Sequence, residues 1–252
     1  MRVVAIIPAR YASTRFPGKP LADIAGRPMI YHVYERTMRA SSVGRVIVAT
    51  DDQRIFSAVE AFGGEAVMTR DDHPTGTDRL AEVAAGLDAD LVVNVQGDEP
   101  LIDPRMIDQA VAPLIADSSL SMGTLKTAIG DVDEFLNPNV VKVVTELNGC
   151  ARYFSRAPIP FSRDFAQNLR ENFSQVAAYK HVGLYVYQRD FLLCYPTLPE
   201  TPLEKLECLE QLRALEHGYR IHVEETTLVS HGVDTPEDLA RVVALLGETR
   251  EN

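Results

Sequence analysis

The sequence has few cysteines and no long apolar segment. Its three cysteines, Cys150, Cys194 and Cys208, are far apart and odd in number, so neither a disulfide framework nor a zinc knuckle is indicated. A reducing cytoplasm is the expected compartment. The apolar run 3–7 ends at Pro8 and is too short for the core of a signal peptide or a membrane span.

Positive charge is also scarce. The 252 residues include 25 Lys and Arg against 36 Asp and Glu, a formal net charge of −11. A surface of this sign repels phosphate backbones and anionic membranes, so we expect neither nucleic acid nor membrane as a partner. Any anionic ligand must therefore be held by a local cluster of cations.

The composition is otherwise that of an ordinary globular protein. Hydrophobic residues make up 46% and charged residues 24%, and Gly and Pro number 15 each, which excludes collagen-like and disordered classes. The length lies between one and two typical domains. Because no repeat or linker divides the chain, we predict one domain over 1–252 with a β-rich insertion at approximately 135–190.

In the first half, short runs rich in Val and Ile alternate with segments of helical spacing. The runs lack strict alternation, which is typical of strands covered on both faces; they cover residues 3–7, 45–50 and 91–95. Pro28 is predicted to begin one helix, and Thr77 or Asp78 to cap another. Repeated strand and helix predict an α/β fold with a doubly wound, mostly parallel sheet.

The pattern changes after about residue 120. Extended runs at 140–146 and 150–155 flank Asn148-Gly149 and predict an antiparallel hairpin. Leucines at helical spacing predict one helix over 203–217, ended by Gly218. The remaining predicted elements are a mobile loop over 163–175, an extended run over 181–187, strands near 221–223 and 228–229, and a helix over 236–246.

Three cations, Arg10, Arg15 and Lys19, lie within ten residues directly after the first predicted strand. This is the carboxyl end of a parallel strand, where open α/β folds bind ligands. The loop has neither a Walker pattern nor a three-glycine dinucleotide fingerprint. Solvated surface charge is the alternative interpretation. We favour phosphate binding, since a nucleoside triphosphate carries about four negative charges and requires several cations with a divalent metal.

Asp98 is a candidate magnesium ligand. It follows the strand 91–95, and Gly97 allows the chain to turn there, so we expect Asp98 at the same edge of the sheet as the cations. Mg²⁺ takes one or two carboxylates together with substrate phosphates. An ordinary acidic turn is the alternative for Asp98, and Glu99 is expected to be solvated.

Asp234 is the second candidate ligand. Thr235 and Asp238 have capping-box spacing, and Pro236 suits the first helical position, so helix initiation does not require Asp234. Asp98 and Asp234 together would hold one magnesium ion against the phosphates.

Further polar clusters carry weaker signals. The four clusters are Thr75, Gly76, Thr77 and Arg79; Arg156 and Arg163; His181 and Tyr185; and Glu207, Glu210 and Gln211. The first cluster lies at a helix start, which suits contact with a base edge, and the second contains two arginines, which suit binding of a carboxylate. The third lies on one face of a strand and the fourth on one flank of a helix, and both are suited to lining a pocket. Capping, structural hydrogen bonding and a solvated helix face explain them equally well.

Eight segments in order resemble the 3-deoxy-manno-octulosonate cytidylyltransferase family over almost the whole chain. They are IIPARYASTRFPGKPL, HPTGTDRLAEV, NVQGDEPLI, NPNVVKVV, YFSRAPIPF, KHVGLYVY, LEKLECLEQLR and GVDTPEDL. The first is shared with enzymes that activate sialic acid, whereas SRAPIP and LEKLECLEQ are more specific. The resemblance implies a Rossmann-like nucleotidyltransferase sheet, with the β-rich insertion used for sugar binding and dimerisation.

The resemblance also implies an activity, which is transfer of CMP from CTP to the anomeric hydroxyl of 3-deoxy-manno-octulosonate (Kdo), with release of diphosphate. It implies Mg²⁺ as cofactor, a homodimer, and a place in the cytoplasm of a bacterium that makes lipopolysaccharide. The implied catalytic residues are Lys19, Arg10 and Asp98. The implied contacts are Arg10, Ser13 and Lys19 to triphosphate; Thr75, Gly76, Arg79 and Gln96 to cytidine; Asp98 and Asp234 to metal; and Arg156, His181, Tyr185, Glu210 and Gln211 to sugar.

Two alternatives remain at this point. The first is a cytidylyltransferase for a related acid sugar, such as an 8-amino Kdo analogue or a sialic acid. The second is a noncatalytic nucleotide-binding protein that kept the sheet and lost the chemistry. The presence of Lys19, Asp98 and Asp234 argues against the second alternative.

Overall fold

The computed structural model describes residues 1–12 and 16–248. Its strands are β1 (Val3–Ala9), β2 (Asp23–Ile24), β3 (Arg27–Pro28), β4 (Arg45–Thr50), β5 (Ala66–Met68), β6 (Leu91–Asn94), β7 (Met122–Ala128), β8 (Lys142–Thr145), β9 (Ala151–Ser155), β10 (Tyr179–Gln188) and β11 (Ile221–Glu225). Its α-helices are α1 (Met29–Thr37), α2 (Gln53–Ala61), α3 (Gly76–Ala85), α4 (Pro104–Ala116), α5 (Val132–Leu136), α6 (Leu169–Asn172), α7 (Arg189–Cys194), α8 (Pro202–Glu207), α9 (Gln211–Glu216) and α10 (Pro236–Glu248). Short 3₁₀ helices cover Lys19–Leu21, Phe173–Gln175 and Tyr195–Thr197.

One large sheet organises the fold, with the strand order β11-β7-β10-β6-β1-β4-β5. Strand β1 is parallel to its neighbours β4 and β6. Strand β4 is also parallel to β5, and β7 is parallel to β11. Among the described residues, β10 is the only strand in this order that is antiparallel to its neighbours, β6 and β7. The predicted α/β fold with a mostly parallel sheet is confirmed.

Helices cover both faces of the sheet because the side chains of its inner strand β1 alternate between two apolar clusters. In β1, Val3, Ala5 and Ile7 pack on one face, with residues of α1, α2 and α4. Val4 and Ile6 pack on the other face, with residues of α3, α7 and α9. The doubly wound arrangement therefore follows from strands that are apolar on both sides.

The predicted hairpin is present as β8 and β9, and Gly149 adopts a positive φ of 83° in its turn. The extended run over 181–187 lies within β10. The segment 163–175, predicted as a mobile loop, contains α6 and a 3₁₀ turn, because Phe173 is buried with Ile129 and Phe135 in a small apolar cluster. The proposed division of the chain at 135–190 stays a prediction.

The predicted helix over 203–217 is wrong in its continuity. It is interrupted at Cys208, which adopts a left-handed conformation (φ 51°, ψ 52°) between α8 and α9, although Gly218 ends the segment as expected. The predicted strand at 228–229 is also wrong. Its surrounding segment instead bonds to the loop after β6, through Ser230 to Glu99 and Val233 to Asp98.

Two predictions of helix starts need adjustment, and one is confirmed. Helix α3 is capped by Thr75, and not by Thr77 or Asp78, because Thr75 and Asp78 form the capping box. Pro28 is the N-cap of α1, one residue before the predicted position. The capping box of Thr235 with Asp238 is present at the start of α10. No helix within residues 1–12 and 16–248 is long and apolar enough to span a bilayer.

Candidate active site

The carboxyl ends of β1 and β6 are in close contact. A Cβ atom on Gly97 would lie 2.8 Å from the carbonyl oxygen of Pro8, a distance that side chains do not reach. Glycine at this position therefore allows the loop after β6 to rest against the loop after β1. This contact brings the surroundings of Asp98 and Lys19 together.

The start of the 3₁₀ turn Lys19–Leu21 fixes the position of Lys19. Gly18 has a positive φ of 73° and its N–H donates to the carbonyl of Tyr11 at 2.9 Å. The Tyr11 ring lies so close that a Cβ on Gly18 would be 3.1 Å from it. The loop is thus folded back on itself, and Lys19 leaves it with a side chain that is only 14% exposed.

Lys19 lies between the two candidate metal ligands. Its Nζ is 2.7 Å from Asp98 Oδ2 and 3.4 Å from Asp234 Oδ1. The two aspartates approach each other because the N–H of Val233 donates to the carbonyl of Asp98 at 2.8 Å. The predicted convergence of Lys19, Asp98 and Asp234 on one edge of the sheet is therefore observed.

The donor set at this position fits a magnesium ion. Two carboxylates reach one ammonium group, so their oxygens converge on a common centre of positive charge. Within residues 1–12 and 16–248 no cluster of three or more His, Cys, Asp or Glu forms a self-contained metal site. Mg²⁺ binds in this way in sites that complete its coordination with substrate phosphates and water.

Glu99 differs from the expectation that it is solvated. Its carboxylate accepts a hydrogen bond from the Ser230 hydroxyl at 2.8 Å and is only partly exposed. The pKa of Glu99 is raised to about 7. Burial is the main cause and the neighbouring Asp98 charge adds to it, while the hydrogen bond from Ser230 partly opposes both. The side chain thus attaches the segment before α10 to the loop after β6.

Arg10 points across the same edge towards the start of α3. Its Nη2 donates to the carbonyls of His73 (2.9 Å) and Thr75 (3.1 Å). The ring of His73 is buried and bonded to Glu82 of α3, which fixes the loop that holds Arg10. Arg10 therefore has a defined position although it belongs to a loop.

Two adjoining cavities open at this edge. The first, here called the cation cavity, has a volume of about 470 Å³ and is lined by Arg10, Lys19, Gln96, Asp98 and Asp234, among others. The second, the aromatic cavity, has a volume of about 250 Å³ and is lined by Asn94, Tyr185, Tyr187, Tyr195, Glu210 and Gln211, among others. Both cavities are lined by Pro8, Gly76 and Gln96, so the two cavities are adjacent.

The candidate residues of α3 separate into two groups. Gly76 lines both cavities. The Thr75 hydroxyl is bonded to Asp78 in the capping box, and Thr75 lines neither cavity. Arg79 is fully buried and donates to Asp51 at 2.7 Å and to Thr69, so it ties α3 to the ends of β4 and β5. The structure thus places Arg79 away from both cavities.

Three of the five sugar candidates line the aromatic cavity. Tyr185 comes from β10, and Glu210 and Gln211 from the start of α9. Glu210 accepts a hydrogen bond from the Thr77 hydroxyl at 2.9 Å. Its side chain is exposed to the cavity but has protein on its other sides, and this partial desolvation raises its carboxyl pKa.

The other two sugar candidates lie outside the cavity lining. The ring of His181 lies beside that of Tyr185, with a centroid distance of 5.2 Å and an angle of 43° between the rings, and burial lowers the pKa of His181 to about 3. Arg156 donates to the backbone carbonyls of Glu207 (2.7 Å), Pro138 (3.2 Å) and Cys208 (3.4 Å). Arg156 therefore holds the interruption between α8 and α9 that presents Glu210 and Gln211.

Comparison with known proteins identifies the family. A family model described as Cytidylyltransferase matches residues 4–221. A 3-deoxy-manno-octulosonate cytidylyltransferase of Trichlorobacter lovleyi is 63% identical over 242 residues, which cover 95% of this chain and 96% of the relative. One of Geobacter metallireducens is 61% identical over 249 residues, which cover 98% of both. The chain belongs to the 3-deoxy-manno-octulosonate cytidylyltransferase family.

Solved structures agree with this membership. The structure of a CMP:2-keto-3-deoxy-manno-octonic acid synthetase complexed with CTP matches with a TM-score of 0.92 and 46% identity, covering 99% of this chain and 100% of that one. A 4-diphosphocytidyl-2C-methyl-D-erythritol synthase from Anaerococcus prevotii matches with a TM-score of 0.62 at 14% identity, covering 98% of both chains. The second match shows the shared fold alone.

Some residues that line the cavities of this cytidylyltransferase were not among the predicted ones. Asn94, Tyr187 and Tyr195 line the aromatic cavity. Tyr187 lies two residues after Tyr185 on β10, so strand periodicity could have identified it. Tyr195 carries no such signal, because it reaches the cavity from a 3₁₀ turn, where its hydroxyl donates to the carbonyl of Glu210 at 2.6 Å. Ser13, predicted to contact triphosphate, lies outside the described residues.

Proposed function

We propose that this chain transfers the cytidylyl group of CTP to Kdo and releases diphosphate. The observation that carries this proposal is the adjacency of the cation cavity, with Arg10, Lys19, Asp98 and Asp234, to the aromatic cavity, with Tyr185 and the start of α9. One cavity suits a triphosphate and the other a polyhydroxylated acid. The relatives at 61–63% identity, named 3-deoxy-manno-octulosonate cytidylyltransferase, support the same reaction.

In the proposed reaction the anomeric hydroxyl of Kdo attacks the α-phosphorus of CTP in line. A bond forms between this oxygen and phosphorus, the bond to the bridging oxygen of the β-phosphate breaks, and the hydroxyl proton passes to solvent. Arg10 and Lys19 would neutralise charge on the nonbridging and leaving oxygens. Because both are held in position before substrate binds, little reorganisation is needed during the reaction.

Asp98 and Asp234 would hold magnesium in this proposal. When bound, the ion supplies positive charge to the phosphates and lowers the pKa of a coordinated hydroxyl. The remaining task of the chain is to keep the two carboxylates together, and the bond between Val233 and the Asp98 carbonyl does so. The Lys19 ammonium group balances the charges of the two carboxylates, and it could also donate a hydrogen bond to a phosphate oxygen.

The sugar would enter the aromatic cavity. Glu210, Gln211 and Tyr185 offer carboxylate, amide and phenol groups to its hydroxyls, and His181 and Arg156 lie directly behind them. Gln96, which lines both cavities, lies where the sugar and the nucleotide meet. This arrangement would bring the two reacting groups together and reduce the entropic part of the barrier.

We extend the proposal to the setting of the reaction. A cytoplasmic homodimer that supplies activated Kdo for lipopolysaccharide is consistent with the family, with the three unpaired cysteines and with the acidic surface. Sedimentation of the purified chain tests the dimer. A monomer at micromolar concentration would contradict that part alone.

The decisive experiment is incubation of the purified chain with CTP, Mg²⁺ and Kdo. We expect release of diphosphate and formation of CMP-Kdo, both absent when Kdo or metal is omitted. An 8-amino Kdo analogue and a sialic acid, tested in parallel, separate the related acid-sugar activities. Tight CTP binding without turnover of any sugar would contradict the proposal and favour a nucleotide-binding role.

A further inference from the structure

Strand β10 has an irregularity beside the aromatic cavity. Val182 pairs with Leu125 of β7, but the next pair is Tyr185 with Thr124, so Gly183 and Leu184 form a bulge. A bulge removes backbone groups from the regular ladder and re-aims the side chains around it. Here it lies between His181 and Tyr185, two residues that the proposed function assigns to the sugar.

The Thr124 side chain fills the inner side of this bulge. Its residue is 1% exposed, and its Oγ1 is 2.8 Å from the carbonyl oxygen of Leu184 and 3.1 Å from that of Val182. The same Oγ1 is 2.9 Å from Nε2 of His181. Three polar atoms therefore surround one hydroxyl.

The number of protons decides how these contacts are used. A threonine hydroxyl has one proton to donate, and carbonyl oxygens only accept. If the proton pointed at His181, the Thr124 oxygen would face two carbonyl oxygens at hydrogen-bond distance with no proton between them. The hydroxyl must therefore donate to the bulge carbonyls, and its lone pair is available to Nε2 of His181.

We infer that Thr124 is a positioning residue that fixes His181 as its Nε2–H tautomer, so that Nδ1, beside Tyr185 of the cavity lining, is the ring atom left to accept a hydrogen bond from the sugar. This inference rests on the proposed function for the identity of the sugar. An unprotonated Nδ1 accepts a hydrogen bond from a sugar hydroxyl. It cannot bind the sugar carboxylate, because an ionised carboxylate has no proton to donate.

Two further observations agree with this assignment. Within the described residues Nδ1 of His181 has no protein hydrogen-bond partner, so this ring atom is left for a ligand. The rings of Phe154 and Tyr185 pack against His181 at centroid distances of 5.1 and 5.2 Å. Because this apolar packing lowers the pKa of the imidazole to about 3, the ring is neutral at physiological pH.

The first test is nitrogen NMR of the protein labelled with ¹⁵N-histidine. The His181 signals are assigned by their loss in His181→Gln. In the wild type we expect a protonated Nε2 and an unprotonated Nδ1 across the neutral range. The variant T124S, which keeps the hydroxyl, should preserve this pattern, whereas T124V should give the tautomer mixture of an unconstrained imidazole. A protonated Nδ1 in the wild type would overturn the inference.

The second test is kinetic. In T124V we expect the KM for Kdo to rise about tenfold, the usual loss for one hydrogen bond, with the KM for CTP unchanged and with rescue in T124S. A set of Kdo analogues that each lack one hydroxyl extends this test. The wild type should have a higher KM for the analogue that lacks the hydroxyl bound by Nδ1 than for Kdo itself. In T124V the KM values for that analogue and for Kdo should be similar. Equal KM values for Kdo in T124V and wild type would overturn the inference.

The two tests separate the inference from the proposed function. If the wild type fails to turn over Kdo while NMR shows the Nε2–H tautomer, the sugar assignment fails and the tautomer stands. If Kdo is turned over normally while Nδ1 carries the proton, the proposed function stands and the inference fails.

Discussion

The carboxylate of Asp98 lies 2.7 Å from the ammonium group of Lys19, although 79 residues separate them in the chain. The contact arises because β1 and β6 are adjacent parallel strands whose carboxyl ends meet at one edge of the sheet. In an overall acidic protein this contact concentrates opposite charges at the place where the proposed metal-bound triphosphate would require them.

Substitution of either partner should reduce turnover. We expect Lys19→Ala or Asp98→Asn to lower the rate of diphosphate release about a hundredfold or more, because removal of one preorganised charge costs on the order of 3 kcal/mol in the transition state. Both positions are at a cavity surface, so the unfolding midpoint should stay near that of the wild type. Lys205→Ala is the matched control, since Lys205 forms an exposed ion pair with Glu200. Near-normal diphosphate release by Lys19→Ala would contradict the assignment.

The buried pair of Glu204 and Arg213 should contribute strongly to stability. Arg213 donates Nε and Nη2 to the two carboxylate oxygens at 2.8 and 2.6 Å, and both side chains are less than a tenth exposed. Glu204→Ala leaves a buried guanidinium without its partner and should cost about 3–5 kcal/mol in urea unfolding. Glu200→Ala, in the exposed pair with Lys205, should cost less than about 1 kcal/mol. Equal losses in the two variants would refute this difference.

Glu207 should make stability depend on pH in the acid range. Burial alone would raise the pKa of Glu207, but hydrogen bonds from Ser155 Oγ (2.6 Å), Arg156 N (2.9 Å) and Tyr153 together lower it below 4.5. Because the folded state favours the ionised form, this contribution is complete above pH 4.5 and is lost as the pH falls through the folded pKa.

The variant Glu207→Gln should therefore destabilise the protein more at about pH 7 than at about pH 3, as measured by urea unfolding at each pH. Glu171→Gln, at an exposed position of α6, should leave the same pH profile as the wild type. A penalty for Glu207→Gln that grows on acidification would show that the sign is wrong.

Glycine substitutions at Cys208 and Cys194 should change the free energy of unfolding in opposite directions, because only Cys208 of the two has a left-handed backbone conformation. Cys208 has φ 51°, which costs an L-residue of order 1 kcal/mol, so Cys208→Gly should raise the free energy of unfolding by up to about 1 kcal/mol. Cys194→Gly, in a right-handed conformation at the end of α7, should lower it by about 1 kcal/mol. Cys208→Val should be destabilising because β-branched residues do not fit this conformation. A stabilised Cys208→Val protein would contradict the argument.

Much of the fold could be predicted because its signals are local. Strands that are apolar on both faces, the Asn148-Gly149 turn and the Thr235 capping box each depend on a few adjacent residues, and each is present. The prediction of one continuous helix over 203–217 was wrong, because the leucine spacing is helical on both sides of Cys208 and does not reveal the interruption. The interruption is stabilised by Arg156, a residue more than fifty positions away, whose donors satisfy the carbonyls of Glu207 and Cys208.

The candidate site was predictable where position in the sheet determines it. Lys19 and Asp98 follow adjacent parallel strands, so their approach could be expected from the sequence. Arg79 was not distinguishable in this way. Its motif suits a ligand contact and a buried ion pair equally, and only the folded structure shows its guanidinium between Asp51 and Thr69.

The bond between Val233 and the Asp98 carbonyl has a consequence for protein synthesis. In chain order Asp234 follows all nine strands of the large sheet and the separate β2-β3 pair, so a ribosome has produced every strand of the described residues before it adds this carboxylate. A chain that stops short of residue 234 thus contains the residues of β1 and of the loop after β6 that line the cation cavity, but lacks the second of the two proposed metal ligands. The proposed chemistry would therefore require translation to pass residue 234, after the strands that surround the cavity have been made.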